Sequence, residues 1–537
     1  MSSIILKLFL SSVDYYKCLG ENTQWCRSID SLGHLALINR TSTDPDLGLE
    51  NHTERLASNM EGMNRKIRVG VLWNLFSLFI TNGASTLFML FLARLLAPEA
   101  FGLVAMVAVV FQLAAAFINS GLGVALIRSK TVSAADYNTV FYTNLLLSAV
   151  AYAALYIGAP FLAGFFSQPE LITLIEVMGL VVFVNAAKLV QIAVLSRKMD
   201  FKSQMKANAL GVVVSGCLAV TAAKYGWGVW SLAVQMLGSA IVSTIVLWLV
   251  STWRPALQFS TESFSRLFIF GRNLLAEGLL SALFQNSYVL VIGRFFNAEV
   301  TGLYFLSKKV SELISKQLTE AVQKSTFPAL STLQDNNEDL RNKYRQILQL
   351  MMFIIAPIMG LMAALAPALF GLLLGDRWSE AVPYFQLLCV VGVLYPLHAL
   401  NINLLNVKGK SEIVLKIGLI KRTVGLTLLF FAIPFGVLGI VISQVIGSLL
   451  ALIPNTYYSN HLINYSFLSQ AKDSLKPIFS AFLASVASWI FSQKTSLAPL
   501  ELIIVSVALG ITVYLLVSFI SRAEGAILLI KALKRWF

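Results

Sequence analysis

The sequence predicts an all-α polytopic membrane protein of about 14 transmembrane helices, with two six-helix lobes that repeat one another and two additional C-terminal helices. Hydrophobic residues make up 57% of the 537 residues, and mean hydropathy is +0.75. Apolar runs of about twenty residues follow one another from residue 68 onward. Only every second connecting loop is rich in Lys and Arg, which is typical of a multi-spanning protein with a fixed orientation.

The composition excludes a soluble fold, in which apolar residues contribute roughly 45–50%. The net charge of +14 lies mainly in loops that would face anionic headgroups, so we expect no nucleic-acid partner. The four cysteines are too scattered for a disulfide framework or a zinc site. Nothing resembles a nucleotide-binding glycine loop or a serine triad. We therefore expect no metal site, no catalytic residue and no cofactor.

A hydropathy window of about 19 residues divides the chain into fourteen predicted spans. They are 70–93, 103–125, 138–164, 171–195, 207–224, 229–251, 268–293, 302–329, 346–374, 382–406, 412–434, 436–457, 476–493 and 498–519. The even number and the basic loops place both termini in the cytoplasm. The loops are too short to hold an extramembrane catalytic domain, which weakens any enzyme hypothesis.

Four regions follow from these spans: an N-terminal extension (1–63), an N-terminal lobe (64–253), a C-terminal lobe (254–460), and two further spans with a basic cytoplasmic tail (461–537). The polar extension fits either a disordered cytoplasmic tail or a true start at Met60 or Met63. We favour the second interpretation, because Met63 directly precedes the basic segment that opens the first span.

An internal repeat is indicated where the first and seventh spans end. The segments read LARLLAPEAFGL (92–103) and VIGRFFNAEVTGL (291–303). Four residues recur 200 positions later, namely Arg94, Glu99, Gly102 and Leu103 as Arg294, Glu299, Gly302 and Leu303. Because both copies follow odd-numbered spans, the halves are predicted to be parallel repeats. The alternative is coincidence between two short turns.

The eighth span carries charges where lipid should exclude them. Five charged residues recur every four positions and share one helix face: Lys308, Glu312, Lys316, Glu320 and Lys324. Beside this charged stripe lie Lys309, Ser311, Ser315 and Thr319. Intramembrane charges normally face a water-filled cavity or a partner, and the excess here is positive, so we expect a cavity wall that binds an anionic group. A self-neutralised stripe packed on a polar helix, or a helix lying in the membrane interface, is the alternative.

Other polar side chains fall in the first, second and seventh predicted spans. They are Asn74, Asn82, Gln112, Asn119, Arg272, Asn273, Glu277, Gln285 and Asn286. Single amides often only bridge two helices, but together these residues indicate a water-accessible region between the lobes, which we call the seam. Lys188 marks the fourth span. We expect Lys416, Lys421 and Arg422 of the eleventh span to snorkel to the inner membrane surface.

Six segments in order resemble the polysaccharide-transport branch of the multidrug/oligosaccharidyl-lipid/polysaccharide exporter superfamily, and more narrowly its colanic-acid-exporter type. They are LARLLAPEAFGL (92–103), FFSQPEL (165–171), SRKMDFK (196–202), GWGVWSL (226–232), TFPALSTLQ (326–334) and LLGDRW (373–378). The resemblance covers about residues 64–460 and implies two lobes that open a central cavity alternately to either side of a bacterial inner membrane. It also implies that the first, second, seventh and eighth helices line that cavity.

The implied cargo is an oligosaccharide repeat unit on undecaprenyl diphosphate, and site roles follow from the residues above. The expected diphosphate-binding residues are Arg272, Lys308, Lys309 and Lys316. The expected sugar-binding or cavity-lining residues are Asn74, Asn82, Gln112, Asn119, Asn273, Gln285 and Asn286. We expect Glu277, Glu312 and Glu320 to balance the positive charge or to bind a coupling proton or sodium ion. Expected partners are membrane lipid, a polysaccharide polymerase and glycosyltransferases.

Three rival functions remain open at this stage. A drug or cation antiporter of the same superfamily would prefer an anionic cavity, and the first span holds no acidic residue. A membrane enzyme would need a long loop or a catalytic domain. A scaffold for an export complex is a further alternative.

Overall fold

The computed structural model describes residues 81–119, 121–129 and 131–528, which form α-helices, short 3₁₀ segments and no β-strand. This confirms the predicted all-α class. The first half of the described chain forms helices α1 to α8. They span 81–95, Pro98–Asn119, Leu122–Arg128, Ala134–Phe166, Leu171–Met178, Leu180–Arg197, Phe201–Lys224 and Val229–Val250. The second half forms α9 to α17. They span Thr261–Phe295, Ala298–Ser331, Asn337–Ala364, Ala366–Leu373, Ala381–Val407, Ser411–Ala432, Gly436–Ile463, Phe467–Lys494 and Pro499–Ile520.

Within the described residues, eleven helical segments are long and apolar enough to cross a membrane. One of them, Ser411–Ile463, contains both α14 and α15. The charged helix α10 is not among them, and the predicted first span, 70–93, lies only partly within the described residues. The chain is therefore a multi-pass membrane protein, while the count of fourteen spans stays a prediction.

Two predicted spans are wrong as single helices, because the backbone breaks within them. The span 103–125 is divided between α2 and α3, where Gly121 has a φ of 71°. The span 346–374 breaks at Leu365, since Pro367 in the first turn of α12 has no N–H to continue α11. The span 171–195, in contrast, lies within one helical segment, Leu171–Arg197, and Gly179 between α5 and α6 keeps a helical φ of −59° and ψ of −23°.

Two lobes pack side by side. In the first, α7 lies along α8, and α6 packs on α4 and α8. In the second, α13 packs on α10, α11 and α15, while α16 joins α11 and α17 joins α16. Across the lobes, α2 contacts both α9 and α10. The start of α9 is also fixed to the first lobe, because Arg266 Nη2 lies 2.5 Å from Asp136 Oδ1. The domain boundaries from the sequence stay predictions.

The repeat appears as a reciprocal contact between Gly102 on α2 and Gly302 on α10. A Cβ on Gly102 would lie 1.7 Å from the carbonyl oxygen of Ala298, and one on Gly302 would lie 1.8 Å from that of Pro98. Each glycine therefore admits the backbone that begins the other helix. We call this region, where α2 and α10 begin, the paired-glycine end.

Two equivalent arginines also join the lobes at the paired-glycine end. Arg94 Nη1 donates to the Leu372 carbonyl at 2.6 Å, and Arg294 Nη1 donates to the Phe165 carbonyl at 2.7 Å. Both carbonyls lie in the last turn of a helix, where they lack intrahelical partners. Each arginine thus caps a helix of the opposite lobe, α12 or α4, with a charge that suits its C-terminus.

Large aromatic side chains fill the space around these contacts. Trp378 is fully buried, donates through Nε1 to the Ala93 carbonyl at 2.7 Å and meets the Phe101 ring edge-on at 5.3 Å. Its counterpart Phe166 is buried against Gly293. The paired-glycine end is therefore closed.

Substituting Gly102 with Val should destabilise the protein, because the new side chain overlaps the Ala298 carbonyl and must separate α2 from α10. Overpacking of this kind costs about 1–3 kcal/mol. We expect the thermal midpoint of the detergent-solubilised protein to fall by several degrees. Gly164→Val is the matched control, since a Cβ at Gly164 meets no atom within 4 Å. Equal midpoints for the two variants would contradict the close contact.

Removing both capping arginines should loosen the paired-glycine end. In a background without native cysteines, we expect a Cys in place of Phe101, which is 2% exposed, to react faster with a water-soluble maleimide in the Arg94→Ala, Arg294→Ala double variant. Each single variant should show part of the effect, because each arginine caps a different helix. Arg377→Ala is the control, since Arg377 is exposed at the same end. Unchanged labelling of the double variant would refute the role of the caps.

Candidate substrate-binding seam

The orientation of α10 is set by a row of small hydroxyl residues that packs on α13. Ser307 Oγ donates to the Ala381 carbonyl at 3.1 Å, and Ser311 Oγ donates to the Leu388 carbonyl at 2.9 Å. The row continues through further buried residues, namely Ser315 and Thr319. The sequence placed these hydroxyls beside the charged stripe, but they serve helix packing instead. The charged row of α10 lies one position further along, about 100° around the helix from the row that packs on α13.

Lys308 connects α10 to α9. Its side chain is 18% exposed, its Nζ donates to the Gln285 carbonyl at 3.2 Å, and it lies 3.9 Å from Glu312 Oε1. Gln285 itself is exposed, so its amide group remains free to bind. The predicted pairing between positions four apart is thus present at this step of the stripe.

The rest of the stripe is not neutralised. Lys309 is exposed, and Lys316 and Glu320 are half-buried. Among the described residues, neither lysine has a carboxylate oxygen within the 4.0 Å of an ion pair. The alternative of a self-neutralised stripe therefore fits only the pair at its beginning, and among the described residues Lys309, Lys316 and the exposed Lys324 have no ion-pair partner.

Arg422 of α14 adds a further cationic group, which contacts one face of α9. Glu277, Ser281 and Gln285 are four residues apart on this face, and Arg422 of α14 donates through Nη2 to Ser281 Oγ at 2.7 Å. Its guanidinium also lies 5.2 Å from the ring centre of Phe284. Ser281 Oγ is 3.5 Å from Glu277 Oε1, so the exposed carboxylate of Glu277 shares this site.

The expectation that Arg422 snorkels to the membrane surface was wrong. Arg422 lies eleven residues into α14, which begins at Ser411, or about 16 Å along the helix axis. That depth was readable from the sequence and is too great for snorkelling, which serves residues near helix ends. Arg422 therefore joins the lysines as a cationic group of the site.

The amides predicted to line the cavity have different positions. Asn286 is buried and donates to Gln112 Oε1 at 2.9 Å, which joins α9 to α2 across the lobes. Gln112 is itself exposed, and Asn82 is half-buried on α1. Asn74 lies outside the described residues, as do the side chains of three other candidates, namely Asn119, Arg272 and Asn273.

The arrangement suits an anionic ligand with hydroxyl groups. Lysine and arginine side chains from α10 and α14 approach one face of α9, and charge-assisted hydrogen bonds to phosphate are stronger than neutral ones. Exposed amides of Gln112 and Gln285 supply donors and acceptors for hydroxyls. The carboxylates of Glu277 and Glu312 limit the positive charge without removing it.

Comparison with known proteins identifies the family to which this chain belongs. The family model described as "Polysaccharide biosynthesis protein" matches residues 91–383, which is more than half of the chain. Lipopolysaccharide biosynthesis protein WzxC of Escherichia coli (strain K12) is 26% identical over 74% of this chain and 80% of its own length. Succinoglycan biosynthesis transport protein ExoT of Rhizobium meliloti (strain 1021) is 27% identical over 60% of this chain and 66% of its own.

Two solved structures share the fold. The inward closed conformation of lipid II flippase MurJ aligns with a TM-score of 0.69 at 12% identity, covering 84% of this chain and 99% of that one. An inward-facing multidrug resistance MATE family transporter of the MOP superfamily aligns with a TM-score of 0.57 at 18% identity, covering 72% and 94%. The family match and these relatives confirm the resemblance to polysaccharide-transport proteins noted in the sequence, and the chain belongs to the polysaccharide biosynthesis protein family.

Proposed function

We propose that the chain is a flippase that moves undecaprenyl-diphosphate-linked oligosaccharide repeat units across the bacterial inner membrane by alternating access. The repeat units would serve exopolysaccharide, O-antigen or capsule biosynthesis. One observation carries the proposal: Lys309 and Lys316 of α10, and Arg422 in a segment apolar enough to cross the membrane, have no carboxylate partner among the described residues. Such charges are costly unless a partner or water receives them, and a diphosphate is a partner of matching charge.

The relatives support transport over catalysis. ExoT is named a transport protein of succinoglycan biosynthesis, and MurJ is named a lipid II flippase. The fold is shared with a MATE transporter too, so the fold alone fits both a flippase and a drug antiporter. The family match and the cationic excess favour the flippase, because a cation antiporter needs an anionic cavity.

The charge distribution of the loops gives the proposed orientation. The basic loops lie opposite the paired-glycine end and would face the cytoplasm, together with both termini. The paired-glycine end would then face the periplasm. Since that end is closed by Arg94, Arg294 and Trp378, the described conformation would accept cargo from the cytoplasmic side.

The proposed partners follow from the cargo. The lipid tail would remain in the bilayer while the head group crosses between helices, since about 30 Å of hydrocarbon separates the two surfaces. Glycosyltransferases that build the repeat unit would act before this protein, and a polysaccharide polymerase would act after it.

Replacing Lys316 with Met should lower transport about tenfold or more, because a charge-assisted hydrogen bond to the diphosphate is lost. The measurement is protein-dependent movement of undecaprenyl-diphosphate-linked repeat units in proteoliposomes, detected with an impermeant probe of the sugar. Lys316→Arg should retain most activity. Lys472→Met is the control, since Lys472 is exposed at the start of α16. Full transport by Lys316→Met and by Lys308→Met would exclude the diphosphate site.

We further propose that Glu277 or Glu312 couples transport to a proton or sodium gradient. Both carboxylates are exposed within the site, and Glu312 is 3.9 Å from Lys308, so ion binding would change the local charge that the cargo meets. Glu312→Gln and Glu277→Gln should transport at a rate that no longer responds to an imposed gradient. A wild-type response retained in both variants, and in Glu320→Gln, would exclude coupling through these residues.

A further inference from the structure

A cavity of about 700 Å³ lies inside the first lobe, on the other side of the seam from the charged row of α10. Its wall comes mainly from α2, α3 and α6, and most of the lining side chains are apolar. Three polar residues interrupt the apolar wall: Gln112 on α2, and Asn185 and Lys188 on α6. Its volume lies within the roughly 300–1,000 Å³ of small-molecule sites, which typically combine apolar walls with a few placed polar groups.

Lys188 is the cationic group of this cavity. It lies near the middle of α6 (Leu180–Arg197), within the segment Leu171–Arg197 that is apolar enough to span the membrane. Its Nζ donates to Ser243 Oγ of α8 at 3.2 Å. Among the described residues, no carboxylate oxygen lies within ion-pair distance of it. A hydroxyl does not neutralise an ammonium group, so the lysine lacks a counter-ion that an anionic ligand could supply.

Two further hydrogen bonds from α8 hold the turn of α6 that carries Lys188. Thr244 Oγ1 donates to the Val184 carbonyl at 3.2 Å, and Trp248 Nε1 donates to the Ala187 carbonyl at 3.0 Å. These bonds fix α6 on α8 at the positions before and next to the lysine. The ammonium group is thus presented by a rigid element, as a specific binding site requires.

The cavity borders the seam between the lobes. Gln112 lines the cavity and also accepts the hydrogen bond from Asn286 of α9 at 2.9 Å. A ligand held at the charged row of α10 could therefore extend past this bridge into the first lobe. The two regions differ in charge, because α10 offers several lysines and this cavity offers one.

We propose that this cavity binds the oligosaccharide part of the cargo and that Lys188 pairs with the carboxylate of an acidic sugar in it. The inference rests on the proposed flippase function and adds the substrate class. A diphosphate carries several charges and fits the lysines and arginine around α9, whereas a single ammonium group fits a monovalent carboxylate. The amides of Gln112 and Asn185 suit neighbouring sugar hydroxyls.

The test compares two undecaprenyl-diphosphate-linked tetrasaccharides that differ only in one sugar, glucuronate or glucose, in proteoliposomes containing the full chain. Wild type should move the acidic cargo faster. Lys188→Met should lower movement of the acidic cargo about tenfold, the loss expected for one hydrogen-bonded charge, and leave the neutral cargo unchanged. Lys188→Arg should retain the preference for the acidic cargo.

Lys198→Met is the matched control. Lys198 follows the same helix and donates to a hydroxyl, Thr252 Oγ1, at 3.0 Å, but it is exposed and does not line the cavity. Movement of both cargoes should equal that of wild type. The thermal midpoint of Lys188→Met, and a second variant Lys188→Gln, separate loss of binding from loss of folding.

The outcomes distinguish this site from the general function. Wild-type transport of both cargoes at equal rates, or an equal loss for both cargoes in a folded Lys188 variant, would overturn the carboxylate site while leaving the flippase intact. An equal loss for both cargoes would instead show that Lys188 binds a group common to both cargoes, such as phosphate. If wild type moves neither cargo, the flippase function itself fails, and this inference fails with it.

Discussion

The contact of α2 with α10 at Gly102 and Gly302 determines how the remaining elements are placed. Because neither residue has a Cβ, the two helix beginnings meet through their backbones, and the repeat makes this contact reciprocal. The charged row of α10 starts at Lys308, six residues after Gly302, or about 9 Å along the helix, and Lys316 lies about 21 Å along it. The cationic groups of α10 therefore lie well away from the closed end.

Helix α10 combines close packing on α13 with a row of charged side chains, two features that usually exclude each other in a membrane. Its hydroxyl row satisfies its own hydrogen bonds on α13, at Ser307 and Ser311, so this face needs no apolar side chains to pack closely. The neighbouring row, about 100° around the helix, can then carry charges at little cost to this packing. Within the part of the chain that the structure describes, Lys308 alone among the lysines of α10 is paired, with Glu312, and the remaining positive charge is a cost that an anionic ligand would offset.

Sequence periodicity predicted the features that repeat, namely the four-residue spacing of charge from Lys308 to Lys324 and the 200-residue offset of Gly102 and Gly302. It failed where the outcome depends on neighbours. The direction of Arg422 depends on which face of α14 meets α9. Hydropathy averages over both faces of a helix, so it cannot distinguish a buried serine row from a wet one.

The affinity of a ligand that contacts both lobes depends on the relative position of the lobes. The amide bridge from Asn286 to Gln112 joins the lobes between the face of α9 that Lys308 and Arg422 contact and the cavity that holds Lys188. Cargo that spans this bridge would gain contacts in both regions only while the lobes keep one arrangement. A ligand shifts a conformational equilibrium by no more than its difference in affinity for the two states. Division of the cargo's anionic groups between the lobes supplies such a difference, whereas a site within one lobe would move as a rigid body and supply none.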